Sequence, residues 1–345
     1  MGACVPRQLL GPGGHLPSHQ NSLEHLALVT NASCTDGHTA SDLALGNLNC
    51  LRTISWIGIR TKTEVTALGT AMRENAKHLQ GLTLDFNRWD YVTSRWVGFE
   101  DPASEVSRLV FQVQPTSPSL QYPALAALSL SGLDITSYAR GLACVTRSPT
   151  LRSITLRGCL GWDSFLQSLI EPGSKLAINT LEVYQPVRFG DPDDADEVVK
   201  AFLQSVDGLG ILHMSLPSPC DTKACWRTMA RHTSTLRQLV YHIRGVNLDD
   251  ESRHFEEEMD MSDMSLISDL FFDGDSESDD EFDGGGLDDN KTDDSASEQP
   301  SLGHDPWFDE RSPNPLGDLQ LECIGLACRP ARLVSLPLIH CRHGS

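Results

Sequence analysis

The residues that could do chemistry are few and scattered. His213 and His242 fall in two similar apolar stretches, and a neutral imidazole is a ready ligand for a divalent metal. No third ligand accompanies them, so they read as surface histidines. Cys220-x4-Cys225 and Cys323-x4-Cys328 lie at the loose end of structural zinc spacing, among residues that read as helix or strand core. Asp273-Gly274-Asp275-Ser276-Glu277-Ser278-Asp279 is similar to the start of a calcium loop. It fails because Ser278 holds the place where Gly makes the turn, and Gly284 replaces the bidentate Glu. G-x-S-x-G, H-E-x-x-H and Walker sequences are missing. Gly11-Pro12-Gly13-Gly14 is a lone Gly-rich turn before no helix. No catalytic residue, metal site or cofactor is assigned, and the chain is expected not to be an enzyme. Ser276 and Ser278 each precede an acid by three places, Asp279 and Glu281, which makes them candidate phosphorylation sites.

Charge divides the chain. It has 345 residues and a net charge of −20. Between Asn247 and Glu310 there are 24 Asp and Glu against two bases, Arg253 and Lys291. Everywhere else 25 bases meet 23 acids. The acidity therefore belongs to one segment, which is too polar to bury a core and reads as a disordered insertion. Such an insertion is cheap, since doubling a loop costs only about 0.6 kcal/mol. Met264 to Phe272 is an apolar island inside it. The N-terminus lacks a signal-peptide pattern, and no run of 18 apolar residues occurs. The ten cysteines read as reduced thiols. A cytoplasmic or nuclear location, with no membrane partner, is expected.

The elements that must position any site come from a repeat. Leu-x-x-Leu-x-Leu occurs as Leu23-Leu26-Leu28, Leu51-Ile54-Trp56, Leu79-Leu82-Leu84, Leu125-Leu128-Leu130 and Leu151-Ile154-Leu156. It continues as Ile178-Leu181-Val183, Leu209-Leu212-Met214, Leu236-Leu239-Tyr241 and Leu316-Leu319-Leu321. The first positions are 28, 28, 46, 26, 27, 31, 27 and 80 residues apart. The longest gap holds the acidic segment, and the gap of 46 holds an irregular insertion from Arg95 to Ser119. A period in the high twenties with this pattern marks leucine-rich repeats. The fourth and sixth positions point inward on a short strand, and the first fills the layer before it. Cys159, at the ninth position, turns inward at a strand end and reads as core.

Between strands the spacing is helical. Val65, Leu68, Met72, Ala76 and Leu79 step by three and four, as do Val198, Val199, Phe202, Leu203 and Val206. Asp163 is the expected N-cap for the helix carrying Phe165, Leu166, Leu169 and Ile170. The predicted fold class is α/β: a leucine-rich repeat solenoid, or horseshoe, with a concave parallel sheet and outer helices. The predicted organisation is a flexible leader over 1–20, repeats over 21–246, the acidic insertion over 247–311, and the last repeat with a tail over 312–345.

The third, fifth and seventh positions of each repeat should line the concave side. They include Gly81, Thr83 and Asp85; Ser153, Thr155 and Arg157; Thr180, Glu182 and Tyr184; Ile211, His213 and Ser215; Gln238, Val240 and His242; and Asp318, Gln320 and Glu322. This mixture of charge, amide and aromatic groups suits a protein partner. It has no basic stripe for nucleic acid. The candidate binding residues are Asp85, Arg157, Glu182, Tyr184, His213, His242 and Gln320. The protein is expected to act as a monomer.

Leu151-Arg152-Ser153-Ile154-Thr155-Leu156-Arg157-Gly158-Cys159 with Trp162, and Ala76 to Phe86, carry a resemblance. The chain resembles the leucine-rich repeat half of F-box proteins, in particular the divergent set of filamentous fungi. That resemblance implies substrate recognition for a cullin-RING ubiquitin ligase, with ligase components as further partners. The F-box itself is not visible in the leader, which Pro6, Gly11, Pro12, Gly13, Gly14 and Pro17 break up. The alternative is a nuclear or signalling scaffold that acts through its acidic loop.

Overall fold

The computed structural model describes residues 7–20, 22–30, 43–59, 61–86, 102–113, 120–170, 176–186, 195–217, 222–243 and 321–327. The acidic segment, with Ser276 and Ser278, lies outside them.

Each of the first eight apolar triplets feeds a strand that starts at its third residue. The strands are β1 His25–Val29, β2 Thr53–Ile57, β3 Gly81–Asp85, β4 Ala127–Ser131, β5 Ser153–Arg157, β6 Thr180–Tyr184, β7 Ile211–Leu216, β8 Gln238–Ile243 and β9 Cys323–Ala327. They make one nine-stranded sheet in chain order. All eight neighbouring pairs are parallel and keep the same register. The arrangement is solenoid-like: each module adds one strand beside the last.

Two rows of buried side chains explain why these segments are strands. Leu26, Ile54, Leu82, Leu128, Ile154, Leu181, Leu212 and Leu239 form one row. Leu28, Trp56, Leu84, Leu130, Leu156, Val183, Met214 and Tyr241 form the other. A full burial of this size gives roughly 1.5–3 kcal/mol per side chain. A single module has nothing to bury them against, so stacking makes the fold.

The backbone adds a second repeat. The carbonyl at the second position of each module accepts two N–H groups from the next. Glu24 O takes Arg52 N at 2.7 Å and Thr53 N at 3.0 Å, and Arg152 O takes Asn179 N at 2.7 Å and Thr180 N at 2.9 Å. The same pair of bonds occurs at all eight junctions, ending with Arg237 O, Glu322 N and Cys323 N. The sheet is thus pinned where each strand begins. Where strands end, Gly58, Gly132 and Gly158 turn the chain at φ 84, 63 and 59, a region that L side chains avoid.

Helices cover the buried side of the sheet. The described ones are α1 Arg7–Leu10, α2 His15–His19, α3 Lys62–Asn75, α4 Pro102–Val106, α5 Ala139–Thr146, α6 Trp162–Leu169, α7 Ala195–Ser205 and α8 Thr222–Met229. Helix α3 starts with a capping box in which Thr61 and Glu64 exchange bonds with each other's backbone. It ends at Asn75, which is fully buried. Asn75 Oδ1 accepts from Leu51 N at 2.7 Å, and its Nδ2 donates to Leu48 O at 2.7 Å. One side chain therefore ties the helix to the turn before β2. No helix among the described residues is long and apolar enough to cross a membrane.

Four expectations change. The ninth triplet is Leu321-Ile324-Leu326, not Leu316-Leu319-Leu321, because Cys323 pairs with Gln238 and Ile324 with Leu239. Both triplets fit the pattern, and only the later one lets Glu322 and Cys323 reach Arg237 O. Asp163 is not an N-cap but sits in the first turn of α6. The buried Trp162 begins that helix, and Gly161 stands before it at φ 76. The insertion read as irregular holds α4 and a π-helical continuation, Ser107–Phe111. Its Val106, Val110 and Phe111 are buried, and a Cβ at Gly69 would run into the Leu109 carbonyl, so the segment packs on α3. Finally, the Gly-rich turn read as preceding no helix leads into α2. Gly14 N donates to Gly11 O at 2.8 Å, and Pro17 sits early in α2, where a missing N–H costs nothing. Leu10 is buried, and its carbonyl accepts from Ala44 N at 2.8 Å.

Candidate functional site

The face of the sheet away from the helices consists of three rows, one residue per strand. The first row runs His25, Thr53, Gly81, Ala127, Ser153, Thr180, Ile211, Gln238 and Cys323. The middle row runs Ala27, Ser55, Thr83, Ser129, Thr155, Glu182, His213, Val240 and Gly325. The third runs Val29, Ile57, Asp85, Ser131, Arg157, Tyr184, Ser215, His242 and Ala327. Three of these 27 register positions carry an Asp, Glu, Lys or Arg. Alternation with the buried rows is what turns them outward.

The structure brings Asp85, Arg157, Glu182, Tyr184, His213 and His242 onto this one face. Arg157 forks onto Glu182 of the next strand, with Nε to Oε1 at 2.6 Å and Nη2 to Oε2 at 3.1 Å. That hydrogen bond raises the Arg157 pKa further. With 56% of the Arg157 side chain and 22% of the Glu182 side chain exposed, the pair fixes geometry more than it adds stability. Asp85 lies two strands away in the same row, with Ser131 between. Burial raises its pKa, and the distant Arg157 charge lowers it again only in part. Among the described residues, the Asp85 carboxylate has no hydrogen bond and no ion pair.

The two histidines do not stand opposite one another in the register. His213 stands opposite Glu182 and Val240, while His242 stands opposite Ser215, whose Oγ lies 3.4 Å from His242 Nδ1. His25 Nδ1 lies 2.8 Å from Thr53 Oγ1. Among the described residues no three His, Cys, Asp or Glu gather as a metal site would need. Cys159 is buried, its thiol donates to Leu130 O at 3.4 Å, and burial pushes its pKa up to about 12. Neutral thiol is poorly nucleophilic, so this group packs rather than reacts. Gln320 lies outside the described residues. The shifted ninth strand replaces Asp318, Gln320 and Glu322 with Cys323, Gly325 and Ala327 in the three rows.

Two residues at the edge of this face were not among the expected binding residues. Val29 and Ile57 are 56% and 41% exposed, large and apolar, and next to Asp85 in the third row. Their signal was in the sequence, at the seventh positions of the first two repeats. The floor between them and Glu182 is built of small groups: Thr83, Ser129, Ser131 and Thr155. No family model matches the chain, and no curated protein matches it either.

Proposed function

We propose that the chain is a leucine-rich repeat horseshoe that binds a protein partner in the concavity of its sheet, without catalysis. The observation that carries this reading is the three-row face. It is held rigid by the doubled hydrogen bonds at every strand start, and it is nearly free of charge apart from Asp85, Arg157 and Glu182. Rigid placement lowers the entropy cost of binding. Small hydroxyl groups beside an aromatic and a fixed ion pair form a surface that polypeptide can fill.

The resemblance to the repeat half of F-box proteins makes the partner a ubiquitylation substrate, with ligase components joining through other parts of the assembly. A cytoplasmic or nuclear site follows from the same reading. A photo-crosslinking residue at Tyr184 is expected to capture a partner in cells, and one at the exposed Arg140 of α5 is not. Equal capture at both would overturn the proposal. The 24 acids between Asn247 and Glu310 favour a second reading, a scaffold that binds basic proteins through that segment. Capture that vanishes on deleting Asn247 to Glu310, and persists in Tyr184→Ala, would select it.

A further inference from the structure

The third row contains an arrangement that protein binding in general does not require. Val29, Ile57 and Asp85 are neighbours on three successive strands. Adjacent strands are about 4.8 Å apart, so the two aliphatic groups and the carboxylate span about 10 Å. Both aliphatic side chains are exposed. The backbone beneath them is fixed: Trp56 Nε1 donates to Thr30 Oγ1 at 3.2 Å, and Thr30 Oγ1 donates to Gly58 O at 2.6 Å. This apolar pair is held in place at the edge of the sheet.

Asp85 adds the charge. The one cation on the three rows, Arg157, is turned away from it and forked onto Glu182. Counting Asp85, Glu182 and Arg157, the face carries a net charge of −1. Burial already disfavours the ionised form of Asp85. A cation brought to it would restore the lost solvation.

We propose that Asp85, Val29 and Ile57 form a subsite for a Lys or Arg side chain flanked by an aliphatic one on a bound polypeptide. This rests on the open face being the binding face, and it adds which chemistry that face selects. The basic group meets the Asp85 carboxylate, with Ser131 as a further hydrogen-bonding neighbour. The aliphatic group covers Val29 and Ile57.

The test is panning of the immobilised full chain against a random peptide library displayed on phage. Enriched peptides should carry Lys or Arg within two or three positions of Leu, Ile, Val or Met. Asp85→Asn should weaken their binding about tenfold, as loss of a charge-assisted contact does. Val29→Ser with Ile57→Ser should weaken it similarly, and added salt should weaken wild-type binding but not what remains in Asp85→Asn. Thermal unfolding of each variant shows whether it is folded. Peptides without a basic position, or unmoved by Asp85→Asn, would overturn the subsite. If such peptides are still lost in Tyr184→Ala or Arg157→Ala, the binding face survives and only the subsite falls. If no peptide is selected, or none responds to any of these substitutions, both fall.

Discussion

Asp85 is a carboxyl that burial holds above the ordinary value of 3.8, against a weaker opposing pull from Arg157. The native state therefore holds this proton more tightly than the unfolded chain does. Stability must fall as pH rises from 3.8 through the higher native value, and the loss is complete once pH passes that value. Asp85→Asn removes that loss. In urea unfolding at pH 7 the variant is expected to be at least as stable as the wild type, and any advantage should vanish below pH 3.8. A variant less stable at pH 7 would show that Asp85 is there to hold the fold. At this scale the sequence was informative about direction. Counting along each triplet put Asp85, Arg157, Glu182 and Tyr184 on one face. It could not show that Arg157 forks onto Glu182 of the adjacent strand, because a triplet fixes the face of a side chain and not its rotamer.

At the scale of single elements, the spacing of apolar residues located helices α3, α6 and α7, and the buried faces agree with it. What spacing could not show is how the turns are satisfied. Asn75 supplies an acceptor to Leu51 N and a donor to Leu48 O, and nothing in its neighbourhood of sequence marks it as different from a solvated helix residue. Asn75→Ala leaves both backbone groups buried and unpaired. A loss on the order of 3 kcal/mol is expected from equilibrium denaturation. A loss below about 0.5 kcal/mol, the ordinary range for a surface change, would contradict the role assigned to it. Two turns share the residues Thr-Leu-Arg, at 150–152 and 235–237, and the pattern of apolar residues said nothing of what they do. Thr150 Oγ1 donates to Leu125 O at 2.9 Å, and Thr235 Oγ1 to Leu209 O at 2.8 Å, each reaching back one module. The following Arg152 and Arg237 bond the carbonyls of Pro149 and Ser234 within the same turn. The helical part of the insertion escaped because its apolar residues, Val106, Leu109, Val110 and Phe111, make too short a run to separate helix from strand.

At the scale of the molecule, the chain order of the nine described strands follows from recurrence alone. Seven of the eight registers came directly from the triplets, since only one alignment of each buries both rows. The eighth, between β8 and β9, slipped by five residues because Leu321 closes one triplet and opens the next, and sequence offers no tie-breaker between them. The sheet decides it through the two bonds to Arg237 O. The same stacking that buries the two leucine rows leaves the three outer rows side by side, so the face proposed for binding is a consequence of the repeat. The central claim is that partners meet this face. Hydrogen–deuterium exchange of the full chain, with and without the tightest peptide from the selection, tests it directly. Added protection confined to strands β1 to β6 and the turns that follow them is the expected result; protection confined to helices α5 to α7, with the strands unchanged, would contradict it.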